Sequence, residues 1–194
     1  MLKVISFGKG DYVGRILRGE QTQTRRVYRC SRPYYMRGDW ICCKEQYDGI
    51  FDGVNGTYTI KYRSDGSRKT MNIKDIPLCD NGKSLDFANR NFCCNRAGFM
   101  PQWASRCTIV MEAIRSNEWL RDISPSDIIA EGFKKKDEFI EAWDMSNGKR
   151  TLWEDNPRVY VYTFRVLDSS NIIPCVEREE PLPTTGWTYT IETM

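Results

Sequence analysis

Arg158–Leu167 carries apolar side chains at both its odd and its even positions: Val159, Val161 and Leu167 on one count, Tyr160, Tyr162, Phe164 and Val166 on the other. Read as a strand, it has no face to offer to water. It must lie inside a sheet that is covered on both sides. That demands helices as well as strands, and the rest of the chain supplies both. Leu2–Phe7, Trp40–Gln46, Thr57–Arg63 and Arg106–Arg115 read as further strands, with Tyr58, Ile60 and Tyr62 on one face of the third. Gly49, Gly53 and Gly56 punctuate a hairpin before Thr57.

Three helices are signalled. Tyr12–Arg18 presents Tyr12, Val13, Ile16 and Leu17 as its apolar side, with Asp11 placed to cap it and Gly19 to turn the chain out. Ser124 is a good N-cap, Pro125 occupies the first helical position and Asp127 stands three residues after the cap. That helix carries Ile128 and Ile129 and stops at Gly132. Asp137–Met145 is the third, with Phe139 and Trp143 four residues apart on one face. The fold class expected is therefore α+β, mainly β. A length of 194 residues, 40% of them hydrophobic, suits one domain over 1–167. Residues 64–99 lack sustained periodicity and read as an insertion. Residues 168–194, with Pro174, Pro181, Pro183 and the acidic Glu177–Glu180 run, read as an extended tail.

Between the first helix and the next strand lies Gly19-Glu20-Gln21-Thr22-Gln23-Thr24-Arg25-Arg26. It is polar throughout and reads as a loop outside the core. Adjacent arginines suit phosphate or carboxylate, since each presents a planar fork of donors, although an ordinary solvated loop has the same composition. Charge placement points the same way. Residues 9–37 hold eight basic residues against Asp11 and Glu20, in a chain whose net charge is only +3. A basic N-terminal region on a near-neutral protein suits a phosphate-bearing partner, with scattered surface arginines as the alternative.

Histidine is absent from the chain, which excludes Ser-His-Asp and Cys-His catalysis and every histidine metal site. Acid–base work would fall to Asp, Glu, Lys or Cys. No phosphate-binding G-x-x-x-x-G-K-[ST] loop occurs, and Gly8, Gly10 and Gly14 have the wrong spacing for a dinucleotide fingerprint. The eight cysteines include two adjacent doublets and no C-x-x-C, so thiols without a metal are expected, small buried side chains accounting for Cys42 or Cys43. No secretory leader or membrane span is legible, and a cytoplasmic protein is expected.

Five blocks, in order, resemble one family. Ile16–Arg26, "ILRGEQTQTRR", looks like the I-x-x-G-x-K-T-x-T-R-R signature of ASCH-domain proteins, in the version carried by many phages. Gly38–Tyr47, Met100–Ile109, Glu118–Phe133 and the closing "AWDMSNGK…WEDNPRVYVYTF" are similar to the family's later blocks. The resemblance implies a PUA-like β-barrel with flanking helices and no cofactor. It also implies a pocket for a base or nucleoside beside the barrel, and hence a partner that is nucleic acid (RNA before DNA) or a modified nucleotide. In that pocket Gln21 and Thr22 would read the ligand, Arg25 and Arg26 would hold phosphate, and Lys44 and Arg106 would lie on strands near it. Trp40 and Trp103 would be stacking platforms, unless they are simply core. Small bacterial relatives are amidohydrolases of N4-acetylcytidine. Their catalytic threonine and glutamate fall on Thr24 and Glu131, but their lysine falls on Gln21, an amide that cannot accept a nucleophile's proton. A phage morphogenetic role is the third function this likeness allows.

Overall fold

The computed structural model describes residues 3–8, 10–29, 31–76, 96–148 and 151–167, together with the backbone of 92–94. In chain order the elements are β1 (Lys3–Ser6), α1 (Tyr12–Leu17), β2 (Gln23–Val27), β3 (Trp40–Lys44), β4 (Tyr47–Asp52), β5 (Thr57–Tyr62), β6 (Arg68–Asn72), β7 (Phe92–Cys94), β8 (Thr108–Trp119), α2 (Pro125–Ala130), α3 (Lys136–Asn147) and β9 (Arg158–Val166). The architecture is mainly β with a few helices. Among the described residues no helix is long and apolar enough to cross a membrane.

A five-stranded sheet runs β1-β3-β8-β9-β2, and a four-stranded sheet runs β6-β5-β4-β7. Among the described residues β1 and β3 pair in parallel, and the other ladders are antiparallel. β9 is buried on both faces, as its composition requires. Tyr160, Tyr162 and Phe164 pack with Ile5, Phe7, Ile41, Cys43 and Ile109 in one core. Val159 and Val161 pack with Leu120, Phe133, Phe139 and Trp143 beneath the helices. A third core, holding Tyr47, Tyr58, Ile60, Tyr62, Met100 and Trp103, belongs to the smaller sheet.

Two expectations about the strands are corrected. Thr57–Arg63 does not contribute to the main sheet: β5 pairs with β4 and β6, and its place is taken by β2, where the sequence suggested a polar loop. The main sheet also does not close, since no backbone ladder joins its edges β1 and β2 among the described residues. Side chains span that gap instead. Arg26 Nη2 donates to the Ser6 carbonyl at 3.2 Å, and the Tyr35 hydroxyl donates to the Val4 carbonyl at 2.7 Å. Within 64–99, expected to be an insertion without periodicity, β6 and β7 are regular; residues 77–91 lie outside the described residues, as does the 168–194 tail.

The helix signals were local and mostly hold. Ser124 Oγ accepts from the Asp127 amide at 3.1 Å, with Pro125 leading α2. Gly132 follows at φ +84°, and Gly19 leaves α1 at φ +73°, backbone angles that favour glycine. Asp11 differs: it makes no capping bond, and its carboxylate instead accepts from Arg18 Nη2 at 2.8 Å. Gly14 permits this, because a Cβ there would lie 1.9 Å from Asp11 Oδ1.

β8 runs past the expected Arg115 to Trp119, with register shifts between Met111 and Ala113 and between Arg115 and Glu118. Asn117, at φ +67°, sits in the second irregularity. Such bulges bend a strand and re-aim its side chains. Here the end of β8 brings Arg115 and Glu118 to α2.

Close packing in the smaller sheet generates a stability prediction. A Cβ on Gly49 would lie 1.7 Å from the Tyr58 hydroxyl, and Tyr58 is 1% exposed, so the phenol has nowhere to retreat. Gly49→Ala is expected to destabilise the fold by about 1–3 kcal/mol. A urea titration followed by tryptophan fluorescence checks this, and an unchanged midpoint would contradict the packing described.

Candidate functional site

β2 is an edge strand made of polar residues, and its two faces do different things. Successive side chains alternate, so Gln23 and Arg25 point one way and Thr24 and Arg26 the other. Register assigns the faces. Arg25 lies opposite Val161 and so faces the helix-covered core; Arg26 lies opposite Tyr160 and Thr24 opposite Tyr162, on the aromatic side.

On the helix side a buried charge cluster forms. The Arg25 side chain is 1% exposed. Its Nη1 donates to Glu131 Oε1 at 3.0 Å and its Nη2 to Asp127 Oδ2 at 2.6 Å. Arg115 donates to the same Asp127 oxygen at 2.8 Å and to Glu118 Oε1 at 2.6 Å. The Gln23 amide fits with its nitrogen toward Asp127 Oδ1 at 3.3 Å and its oxygen toward Arg25 Nη1 at 2.7 Å. Gln21 Nε2 donates to the Gln23 carbonyl at 2.9 Å. The backbones join as well: the Thr22 amide donates to the Ala130 carbonyl at 2.9 Å, at the end of α2.

Electrostatics within the cluster is uneven. Burial pushes the Glu131 carboxyl up to about 7, against the opposing pull of Arg25 and Arg26. Asp127 is held below its usual range, because its hydrogen bonds to Arg115 and Arg25 outweigh its desolvation. Gln21 is 1% exposed, and its Oε1 has no hydrogen-bond partner among the described residues. Gly132 makes its seat, since a Cβ there would come within 3.2 Å of Gln21 Cβ and 3.1 Å of Arg15 Cδ.

On the aromatic side, Arg26 is half-buried with its guanidinium 5.1 Å from the Phe7 ring centroid. Its Nε has no partner among the described residues. Desolvation lowers the proton affinity of this guanidinium, offset in part by Tyr35 and by the field of Glu131. Thr24 is buried on this same face, whereas Glu131 pairs with Arg25 on the other.

The remaining sequence candidates are dispersed. Trp103 is buried in the core of the smaller sheet, its ring 6.0 Å from that of Tyr58. Arg106 is committed to structure: it donates to both Glu45 oxygens at 2.8 and 3.0 Å and to Asp65 at 2.6 Å, and stacks 4.3 Å over Tyr62. Lys44 Nζ donates to the Gly98 carbonyl at 3.4 Å, and Trp40 is 39% exposed at the start of β3. Thr22 is exposed. Gln21, Arg25 and Glu131 are therefore brought together, while Trp103 and Arg106 belong elsewhere. The sequence reading missed Gln23, Asp127, Arg115 and Glu118. The alternation Gln21-x-Gln23-x-Arg25 was the available signal, legible only once the segment is known to be extended.

Cys42, Cys43 and Cys107 are buried thiols, and burial beside Cys107 pushes the Cys43 thiol well up. Among the described residues no group of three or more Cys, Asp and Glu is arranged to hold a metal ion. A groove of about 220 Å3 lies between α1 and α3, lined by Tyr12, Arg15, Phe133, Glu138, Glu141 and Met145 among others.

No known protein family pattern matches the chain. Comparison with curated proteins gives no match either. A solved structure similar to this chain is an ASCH domain from Lactobacillus crispatus JV V101, at 11% identity and a TM-score of 0.44, aligned over 85% of this chain and 79% of that one. At that level of likeness the roles of residues rest on geometry alone.

Arg25, expected to be an exposed phosphate ligand, is a buried structural charge, so its truncation should act on stability. At pH 8 Arg25→Ala is expected to cost about 3–5 kcal/mol, the penalty for leaving buried carboxylates uncompensated. At pH 5.5 the loss should shrink, because Glu131 can take up a proton. Glu131 itself sets a pH dependence. Its native value of about 7 stands above the ordinary 4.5, so the native state holds a proton that the unfolded chain has released. Stability from this group is full below about 4.5 and falls by about 3 kcal/mol as pH rises to 7 and beyond. Glu131→Gln should remove that slope. Urea unfolding across pH 4.5–8 tests both, and a wild-type profile identical to that of Glu131→Gln would refute the assignment.

Proposed function

We propose that this chain is an ASCH-type domain of the phage-encoded kind, with a PUA-like arrangement of its main sheet, that binds a nucleotide or nucleic acid without turning it over. The observation that carries the reading is two of the three polar atoms of β2 and its lead-in that are buried without a partner among the described residues, the third being Nε of the ion-paired Arg25. Among the described residues Gln21 Oε1 is a buried acceptor without a donor, and Arg26 Nε a buried donor without an acceptor. Leaving such atoms unsatisfied costs about 1–3 kcal/mol each, and native structures rarely do so without a reason. Gln21 leads into the strand on the Arg25 side and Arg26 lies on the aromatic side, so the ligand must reach both sides of the β2 edge, as the base and phosphate of one nucleotide can. An exocyclic amine or a ribose hydroxyl donates to Gln21, and a ring nitrogen, carbonyl or phosphate oxygen accepts from Arg26. The Phe7 ring, 5.1 Å from the Arg26 guanidinium, backs this position from the core. Ribonucleotides are favoured over deoxyribonucleotides by the family resemblance.

Binding is favoured over catalysis because Gln21 stands where the amidohydrolases have lysine, leaving Thr24 without a base. Strand alternation also turns Thr24 away from the face on which Glu131 pairs with Arg25. The burial of Glu131 beside Arg25 keeps the amidohydrolase as a second reading, because that burial raises the carboxyl's proton affinity. A carboxyl poised at about 7 has the proton affinity of an effective general base near neutral pH. Acetate release from N4-acetylcytidine, lost in Glu131→Gln, would make that the correct reading.

Calorimetric titration with the four ribonucleoside monophosphates tests the binding role. Gln21→Ala is expected to weaken affinity by roughly 2- to 10-fold, as for a neutral hydrogen bond, and Arg26→Ala by more, as for a charged one. Neither should abolish folding. Affinities identical to wild type in both variants would remove these residues from the site.

A further inference from the structure

Between β2 and β3 the described residues 28–29 and 31–39 lie outside the strands, yet they are firmly held. The Tyr35 ring packs edge-on against Tyr162 at 5.2 Å and its hydroxyl reaches Val4. Gly38 N donates to the Met111 carbonyl at 2.8 Å, and Met111 N donates to the Asp39 carbonyl at 3.0 Å, tying these residues to β8. Asp39 Oδ2 accepts from the Met36 amide at 2.6 Å and from Lys3 Nζ at 2.5 Å, while Lys3 Nζ also donates to the Tyr34 carbonyl at 3.0 Å. Lys3 and the Met36 amide hold the Asp39 carboxyl below its usual range against the desolvation that opposes them.

From among these residues Tyr34 projects into solvent. It is 67% exposed, supported from behind by the Tyr35 ring at 4.9 Å in an edge-to-face contact. Arg29, Arg32 and Arg37 are exposed in the same segment, and Met36 is 54% exposed. Asp39 is the one acid between residues 28 and 39, and Lys3 neutralises it. Core packing does not explain an aromatic ring so exposed. A chain of rings runs inward from it, Tyr34–Tyr35–Tyr162–Tyr160–Tyr28, with successive centroids 4.9, 5.2, 5.9 and 4.8 Å apart.

We propose that residues 28–29 and 31–39 present a docking surface for a single-stranded polynucleotide, with Tyr34 stacking on an unpaired base and the exposed Arg29, Arg32 and Arg37 lending positive charge toward the flanking phosphates. The proposal rests on the nucleotide-binding reading above and extends it to the strand that carries the bound nucleotide. Single strands are specified because stacking on a tyrosine face requires a base free of its own neighbours, and an aromatic ring within a basic surface is the recurring means of holding them. A duplex would meet the arginines alone.

Fluorescence anisotropy with labelled oligouridylate, oligothymidylate and a mixed-sequence RNA duplex tests this. The uridylate and thymidylate arms decide whether the strand is RNA or DNA. Tyr34→Ala should weaken single-strand binding roughly 5- to 150-fold, the range of one base-stacking contact. Tyr34→Phe, which keeps the ring, should bind as wild type does. Replacing Arg29, Arg32 and Arg37 together by alanine should flatten the salt dependence by about 0.7 of a log–log unit for each phosphate that the variant no longer neutralises. Thermal melting confirms that each variant folds. Single-strand affinity unchanged in Tyr34→Ala, or duplex binding as tight as single-strand binding, overturns the proposal. Monophosphate binding without polynucleotide binding overturns it while the nucleotide reading stands. Polynucleotide binding that depends on Tyr34, with no monophosphate binding sensitive to Gln21, would establish the surface and dismiss the pocket.

Discussion

Burying Arg25 is the constraint on which the rest of this structure turns. Removing a guanidinium from water costs several kcal/mol unless carboxylates and hydrogen bonds surround it. Here Glu131, Asp127 and the Gln23 oxygen do so, and each comes from a defined place in the fold. Asp127 lies in α2, Glu131 follows its last residue, and Gln23 shares a face of β2 with Arg25. The helix must end where it does, and the strand must be extended, or the charge is stranded. Arg115 and Glu118 complete the arrangement only because β8 is bent between them.

The same cluster has too many carboxylates for its arginines. Three acids, Glu118, Asp127 and Glu131, face two guanidiniums, and the most deeply buried acid bears the consequence. Glu131 shares Arg25 with Asp127, has little solvent, and is raised to about 7. Its field still reaches Arg26 on the opposite face of β2. The helix-side ion pairs and the aromatic side of the main sheet are thus coupled through one edge strand, five residues long. That strand separates a face of buried ion pairs from an aromatic face, and each carries a polar atom with no partner among the described residues.

Arg26 and Tyr35 have a structural part as well. They reach the carbonyls of β1 across the gap that the ladders leave open. Sheet edges are otherwise liabilities, since unpaired backbone groups invite another strand. Closing the gap with side chains engages the Arg26 Nη2 and Tyr35 hydroxyl ends and leaves Arg26 Nε without a partner among the described residues. The basic stretches 28–29 and 31–39 are anchored on this rim, so the exposed Tyr34 and the unsatisfied Gln21 and Arg26 belong to one continuous stretch of chain, 21–37.

What the amino-acid order determined unaided was whatever depends on neighbours a few residues away. Ser124, Pro125 and Asp127 specify a helix start through bonds confined to one turn, and Gly19 and Gly132 specify helix ends through φ. The two apolar faces of Arg158–Val166 demanded cover on both sides. The period-2 pattern of Tyr58, Ile60 and Tyr62 declared a half-buried strand. Tertiary structure alone decided the rest. β2 has no hydrophobic alternation to announce it, because its inward residues are made tolerable by acids about a hundred positions later in the chain. Arg106 could not be told from a ligand-binding arginine until Glu45 and Asp65 were placed around it. Thr57–Tyr62 was legible as a strand but not as a member of the smaller sheet, because strand pairing is a choice among distant partners that no local pattern encodes.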